Sequence, residues 1–192
     1  MSDGAVLARV AHFVAFVLMA APMYMLVVVN ERARMGPPDA KIDRYLENII
    51  TRNAPRCFVF QATVLGSGVA LLLLLDYYGL GAMVRNQVLL VKVVGTLLLV
   101  ALLGYIHFFL QPRINRMVDG LAQGSPAPPE LPVLRRRRKR LSAVCLFILL
   151  TLVVLGLRLT LGFSGWLAAV FILAAAAFAY RAYSSLVRFG WL

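Results

Sequence analysis

Residues 88–111 read VLLVKVVGTLLLVALLGYIHFFLQ. Lys92 is the single fixed charge in this stretch, which exceeds the roughly 20 residues a helix needs to cross a hydrocarbon core. The apolar residues occupy every face of the helix rather than one stripe. Such a helix must be surrounded by lipid or by other helices. Four more blocks of this kind lie at 6–29, 56–76, 141–161 and 165–185. The second contains the run Leu71-Leu72-Leu73-Leu74-Leu75, and the last follows the turn Gly162-Phe163-Ser164-Gly165. Overall the 192 residues are 61% hydrophobic, against roughly half in soluble domains. The expected fold is all-α: one membrane domain over residues 1–192, built as a polytopic transmembrane helix bundle of about five spans. The first block is longer than a signal-peptide core and lacks a small-residue cleavage site, so it reads as a retained span.

The connections differ in character. Within 30–55, Pro37 and Pro38 precede Asp39, a candidate N-cap. Ile42, Tyr45, Leu46, Ile49 and Ile50 then recur at helical spacing, the pattern of a short helix lying in the membrane interface. Asn53-Ala54-Pro55 is read as ending that helix and opening the next span. Residues 112–140 form a Pro-rich and basic loop. Its stretch Gly124-Ser125-Pro126-Ala127-Pro128-Pro129 is a tether, followed by Arg135, Arg136, Arg137, Arg138, Lys139 and Arg140.

The net charge is +12. On a soluble protein this would suggest nucleic acid, but here the charge sits between spans, so no nucleic-acid partner is expected. Lys and Arg in loops mark the cytoplasmic side. The first loop holds Arg32, Arg34, Lys41, Arg44, Arg52 and Arg56. The third holds Arg113, Arg116 and the basic run, the second only Arg85, and the fourth none. The C-terminal tail adds Arg181 and Arg188, and Trp191 there suits an interfacial anchor. The count places the N-terminus outside and the C-terminus in the cytoplasm, in a bacterial-type inner (plasma) membrane. The partners expected are the lipid bilayer, with anionic lipid at the basic run, and other membrane subunits.

Ionisable groups inside hydrocarbon are costly, so each is a candidate site. They are His12, Lys92, His107 and Arg158, with Asp76 at the end of the second span. In the expected topology His12, Lys92, Arg158 and Asp76 share one shallow layer near the outer surface. His107 lies roughly 20 Å deeper than Lys92 at 1.5 Å per residue, which argues against one haem held between His12 and His107. Its expected neighbour is Gln61. Ala8, His12, Ala15 and Met19 share a face, as do Lys92, Gly95, Thr96 and Leu99. Ala62, Gly66 and Ala70 form a small-residue stripe on the second span, suited to close packing. Met19 and Met23 have a spacing that suits a soft metal, though it also suits plain core packing. Cys57 and Cys145 match neither a disulfide framework nor a zinc pattern and read as reduced, packed thiols. No Walker, Rossmann, zincin or nucleophile-elbow motif occurs, so no catalytic residue is named.

His12 in Ala8-Arg9-Val10-Ala11-His12, and Lys92 in Leu89-Leu90-Val91-Lys92-Val93-Val94, resemble the membrane proteins of the HemJ-type protoporphyrinogen oxidase and copper-resistance D (CopD-like) group. Arg44-Tyr45-Leu46-Glu47-Asn48-Ile49-Ile50 is similar in style. The resemblance covers the first four spans. It implies that the His of the first span and the Lys of the third form a functional pair associated with haem b. His12 would then be the metal ligand, with Lys92 and Arg158 facing carboxylates of the cofactor. The chain departs from that pattern at Ala20-Ala21-Pro22-Met23-Tyr24 and in its fifth span.

Two functions follow from these readings. One is a non-catalytic subunit or anchor of a larger membrane assembly. The other is a membrane protein that handles haem b or porphyrin through the layer of His12, Lys92 and Arg158.

Overall fold

The computed structural model describes residues 3–29, 39–75, 81, 86–120 and 128–184. Arg32, Arg34, Pro37, Pro38, Asp76, Arg85, Arg188 and Trp191 lie outside them. All extended elements among the described residues are helices: α1 Asp3–Val29, α2 Ala40–Leu74, α3 Gln87–Tyr105, a π-helical turn Ile106–Leu110, α4 Gln111–Asp119, α5 Glu130–Leu161 and α6 Gly165–Ser184. Five stretches are long and apolar enough to cross a membrane: Asp3–Met25, Lys41–Leu74, Gln87–Asp119, Glu130–Leu161 and Gly165–Ser184.

α5 is the central helix. It packs against α1, α3 and α6, while α1 lies along α2. The main core joins Ala15, Phe16, Met19 and Met23 of α1 to Val64 of α2. It continues through Leu99 and Ile106 to Cys145, Leu149 and Leu152 of α5. Met19 and Met23 are therefore packing residues. Outward positions such as Phe13, Val17, Leu73, Leu98, Phe109 and Leu173 are apolar and exposed, as expected for faces solvated by lipid.

α2 is one helix, not an interfacial helix followed by a span. Asp39 caps it as expected, its Oδ1 accepting from the backbone N–H groups of Lys41 (2.9 Å) and Ile42 (3.0 Å). The helix then runs straight through Pro55. Pro55 is exposed, and a proline inside a helix is tolerated where the carbonyl it strands finds another partner and other contacts hold the segment. Here Asp43 and Glu47 dock the first turns onto α5. The first turns therefore differ from the interfacial reading: Ile42 and Tyr45 are exposed and Asp43 and Glu47 buried, while Ile50, farther along, is buried as an apolar residue. The expected small-residue stripe also turns outward, with Ala62 and Gly66 exposed. α2 packs through Gln61, Val64 and Gly68 instead.

The loop expected over 112–140 is largely helical. α3 passes through a π-turn in which the Gln111 N–H bonds the Ile106 carbonyl, five residues back. The wider turn makes room for Pro112, whose ring would clash with the carbonyl of residue 108 in a regular helix. α5 begins at Glu130, so the basic run is its second and third turns. Its far end stops at Gly162, whose φ of 67° is left-handed and whose N–H bonds the Arg158 carbonyl at 3.0 Å. The hydroxyl of Ser164 then accepts from Leu167 N at 3.3 Å and opens α6.

Gly95 sets the spacing of α3 and α5. A Cβ there would stand 2.8 Å from Leu152 Cδ2, and Leu152 is only 2% exposed. Gly95→Val is expected to cost about 1–3 kcal/mol through overpacking, read as a lower unfolding midpoint of the purified protein in detergent. Gly66, with open space around it, should accept valine with little change.

Candidate functional site

The bundle carries two polar centres, one toward each end. At the end formed by the start of α1 and the close of α2, His12 Nδ1 lies 3.0 Å from Ser67 Oγ. The Ser67 hydroxyl has one proton and gives it to the Thr63 or Val64 carbonyl. His12 then donates from Nδ1, which makes Nε2 the ring nitrogen that would carry a lone pair; the Val64 backbone is also a hydrogen-bond partner of the ring. The ring lies against Gly68 of α2, where a Cβ would make ordinary contact with His12 Cε1 at 3.4 Å. Phe16 supports the ring one turn along α1, with centroids 5.3 Å apart.

Lys92 enters from α3. Its ammonium is close enough to act electrostatically on the His12 ring, although eighty residues separate the two in sequence. Lys92 rests over Gly156 of α5, where a Cβ would stand 3.2 Å from Nζ. Both side chains are partly buried. Among the described residues no carboxylate pairs with Lys92. Two cationic or cation-capable groups thus lie within electrostatic range of each other, with no anion paired to either among the described residues, in a setting where unpaired charge is unfavourable.

Arg158 does not join this pair. It follows Gly156 by two residues, roughly 200° around α5. Its guanidinium instead covers Gly165, where a Cβ would stand 3.5 Å from Nη2. His107 is also apart from it. Its ring meets Phe58 of α2 edge-on at 5.6 Å, about ten residues and roughly 15 Å below the Ser67–Gly68 seat of His12. It forms no hydrogen bond with Gln61: His107 Nδ1 and both amide atoms of Gln61 are buried and unpartnered. Cys57 and Cys145 are free and buried. No group of three or more His, Cys, Asp or Glu able to hold a metal occurs among the described residues.

The second centre, at the opposite end, is an ion cluster. Asp43, Glu47 and Thr51 stand one turn apart on α2, and Gln111 and Asn115 one turn apart on α4. Arg135 and Arg138 come from α5. Arg138 grips Glu47 with two nitrogens, Nη1 to Oε2 and Nη2 to Oε1 at 3.1 Å. Arg138 Nη1 also donates to Gln111 Oε1 at 2.7 Å. Gln111 Nε2 donates to Glu47 Oε2 at 2.7 Å and to Asn115 Oδ1 at 2.9 Å. Asn115 Nδ2 donates to Thr51 Oγ1 at 3.3 Å. Arg135 Nε donates to Glu47 Oε1 at 3.3 Å, and its Nη1 lies 3.6 Å from Asp43 Oδ2. Arg138 is 1% exposed.

This cluster divides the basic run. Arg135, Arg138 and Lys139 are buried and face the bundle, with Lys139 also over the Tyr183 ring at 5.4 Å. Arg136, Arg137 and Arg140 are exposed, and Arg137 lies over Tyr105 at 5.3 Å. Of the six residues expected to face lipid, three are therefore buried within the bundle. The sequence signal for the cluster was present in Asp43 and Glu47 at i, i+4 and in Arg135 and Arg138 at i, i+3.

Comparison with family models, with characterised proteins and with solved structures returns no match.

Proposed function

We propose that the chain is a multi-pass protein of a bacterial-type inner membrane that binds an anionic, amphiphilic ligand of the haem or porphyrin class through His12 and Lys92. The observation that carries this reading is that His12 and Lys92, on separate helices, lie within electrostatic range of each other, with no carboxylate paired to the ammonium among the described residues. The donor set suits a haem: one neutral imidazole for the iron, held in a fixed tautomer by Ser67, and one ammonium for a propionate. When bound, the iron would supply one-electron chemistry. The chain's own part is to orient the ring through Ser67 and Gly68 and to neutralise a carboxylate through Lys92. Arg158, over the α5–α6 turn, is left outside this site.

The carboxylate makes a test possible. Protoporphyrin is expected to bind the purified protein at least tenfold more tightly than its dimethyl ester, by fluorescence titration, because a hydrogen bond to a charged group contributes about 1.5–3 kcal/mol. Equal affinity for acid and ester, or simple partitioning into the micelle without saturation, would overturn the reading.

Orientation follows from the loop charges: N-terminus outside, C-terminus cytoplasmic. A C-terminal fluorescent-protein fusion is expected to glow, and a C-terminal alkaline phosphatase fusion to stay inactive; the reverse would invert the topology. A second reading, a non-catalytic subunit or anchor, is favoured by the closed ion cluster of α2, α4 and α5. That cluster ties three helices together and leaves no reactive group open.

A further inference from the structure

A cleft of about 30 Å³ lies between α1, α2 and the join of α3 to α4, in the half of the bundle that holds the ion cluster. A water needs roughly 10–15 Å³ of such space, so the cleft takes one or two molecules and nothing larger than a few atoms. Met23, Ala54 and Ile106 give it apolar walls. Three polar side chains interrupt them: Asn53 of α2, His107 of the π-turn and Gln111 of α4. His107 Nδ1 is buried and has no partner in the protein. Gln111 Oε1 accepts from Arg138 and, as a carbonyl oxygen, has a second lone pair. Pro22 of α1 also lines the cleft. It has no N–H, so the Leu18 carbonyl lacks its helical donor there.

From this arrangement we infer that the cleft is a hydration site, where one or two ordered waters are held by His107 Nδ1, Asn53 and Gln111. An internal water makes about three hydrogen bonds to buried polar groups that lack other partners, and these side chains supply them. Through Gln111 the water joins His107 to the network of Glu47 and Arg138, so an imidazole inside a span gains contact with solvent. Met25, 47% exposed, lines the same cleft and marks its way in. The core beside it, around Met19 and Cys145, is apolar and closed. Such a space stays dry. The inference is independent of the porphyrin reading, whose residues lie toward the other end of the bundle.

X-ray radiolysis of the detergent-purified full chain, read by mass spectrometry, tests it. Hydroxyl radicals formed from a bound water oxidise the side chains beside it, whereas radicals from bulk solvent do not reach a closed core. Two matched pairs carry the result. Met23 and Met19 are 3% and 0% exposed, and Cys57 and Cys145 are 3% and 2% exposed. Of these four, Met23 and Cys57 line the cleft. Met23 should be oxidised several-fold faster than Met19, and Cys57 several-fold faster than Cys145. Ala54→Leu fills the space, and His107→Phe removes a polar partner while keeping a ring. Each should bring Met23 down toward the rate of Met19. Equal rates within both pairs on the unmodified chain would overturn the inference, and that comparison needs no variant to fold. A contrast that persists undiminished in both folded variants would overturn it as well, because the radicals would then arise elsewhere.

Discussion

Glu47→Ala is expected to lower the stability of the folded bundle by about 3–5 kcal/mol, an effect few single side chains in a protein of this size can produce. Glu47 is the hub of the cluster. Arg138, Arg135 and Gln111 all direct N–H donors at its two oxygens. Removing the carboxylate leaves the Arg138 guanidinium 1% exposed, still charged and short of its main partner. That desolvated charge, not the lost attraction alone, sets the size of the effect. The double variant Glu47→Leu/Arg138→Met should recover much of the loss, because exchanging a buried ion pair for apolar groups of similar volume is often neutral or stabilising. Arg136→Ala, on the exposed side of the same helix, should fall within about 0.5 kcal/mol of the unmodified protein. Circular dichroism of purified protein during thermal unfolding in detergent reads all three. Equal midpoints for Glu47→Ala and Arg136→Ala would show that the cluster does not hold α2 and α4 to α5.

His12→Ala carries the second large effect, this time on binding. The reading gives His12 the ligand bond to the iron, so alanine should weaken haem affinity by at least about a hundredfold, some 2.7 kcal/mol. Lys92→Met keeps the length and apolar stem of the side chain and removes the ammonium. It should weaken haem about tenfold and protoporphyrin by a similar factor, since both carry the carboxylates. His12→Ala should leave metal-free protoporphyrin close to its original affinity. That difference separates a ligand role from a packing role: a general loosening of the site would weaken both compounds alike.

The five apolar stretches were legible in the sequence because apolarity over twenty residues is a local property. The same holds for the Asp39 cap and for the turn at Gly162, where side-chain chemistry and backbone freedom act over three or four residues. The spacings of Asp43 with Glu47 and of Arg135 with Arg138 were visible in the sequence, but the pairing between them was not. Glu47 and Arg138 are 91 residues apart, and a run of six basic residues at a membrane border reads naturally as a solvated row. Only the docking of α2 and α4 onto α5 shows that its i, i+3 members turn inward. The continuity of α2 through Pro55 was hidden for the same reason: a local breaker was overruled by a tertiary contact. The π-turn at Ile106–Leu110 follows from Pro112 in retrospect, but proline alone does not say whether a helix will kink, stop or widen. At the candidate site, sequence depth put His12 and Lys92 in one layer with Arg158. It could not give the rotation of α5, and that rotation separates Arg158 from the pair.

The porphyrin reading turns on which imidazole a haem would recognise, and an absorption spectrum answers this directly. Purified protein supplied with one equivalent of haem is expected to show a sharp Soret band that Ser67–His12 geometry supports. The band should be lost in His12→Ala and kept in His107→Ala. A band that survives His12→Ala and disappears in His107→Ala, or one equally unaffected by both, would contradict the assignment of His12 and Lys92 as the ligand site.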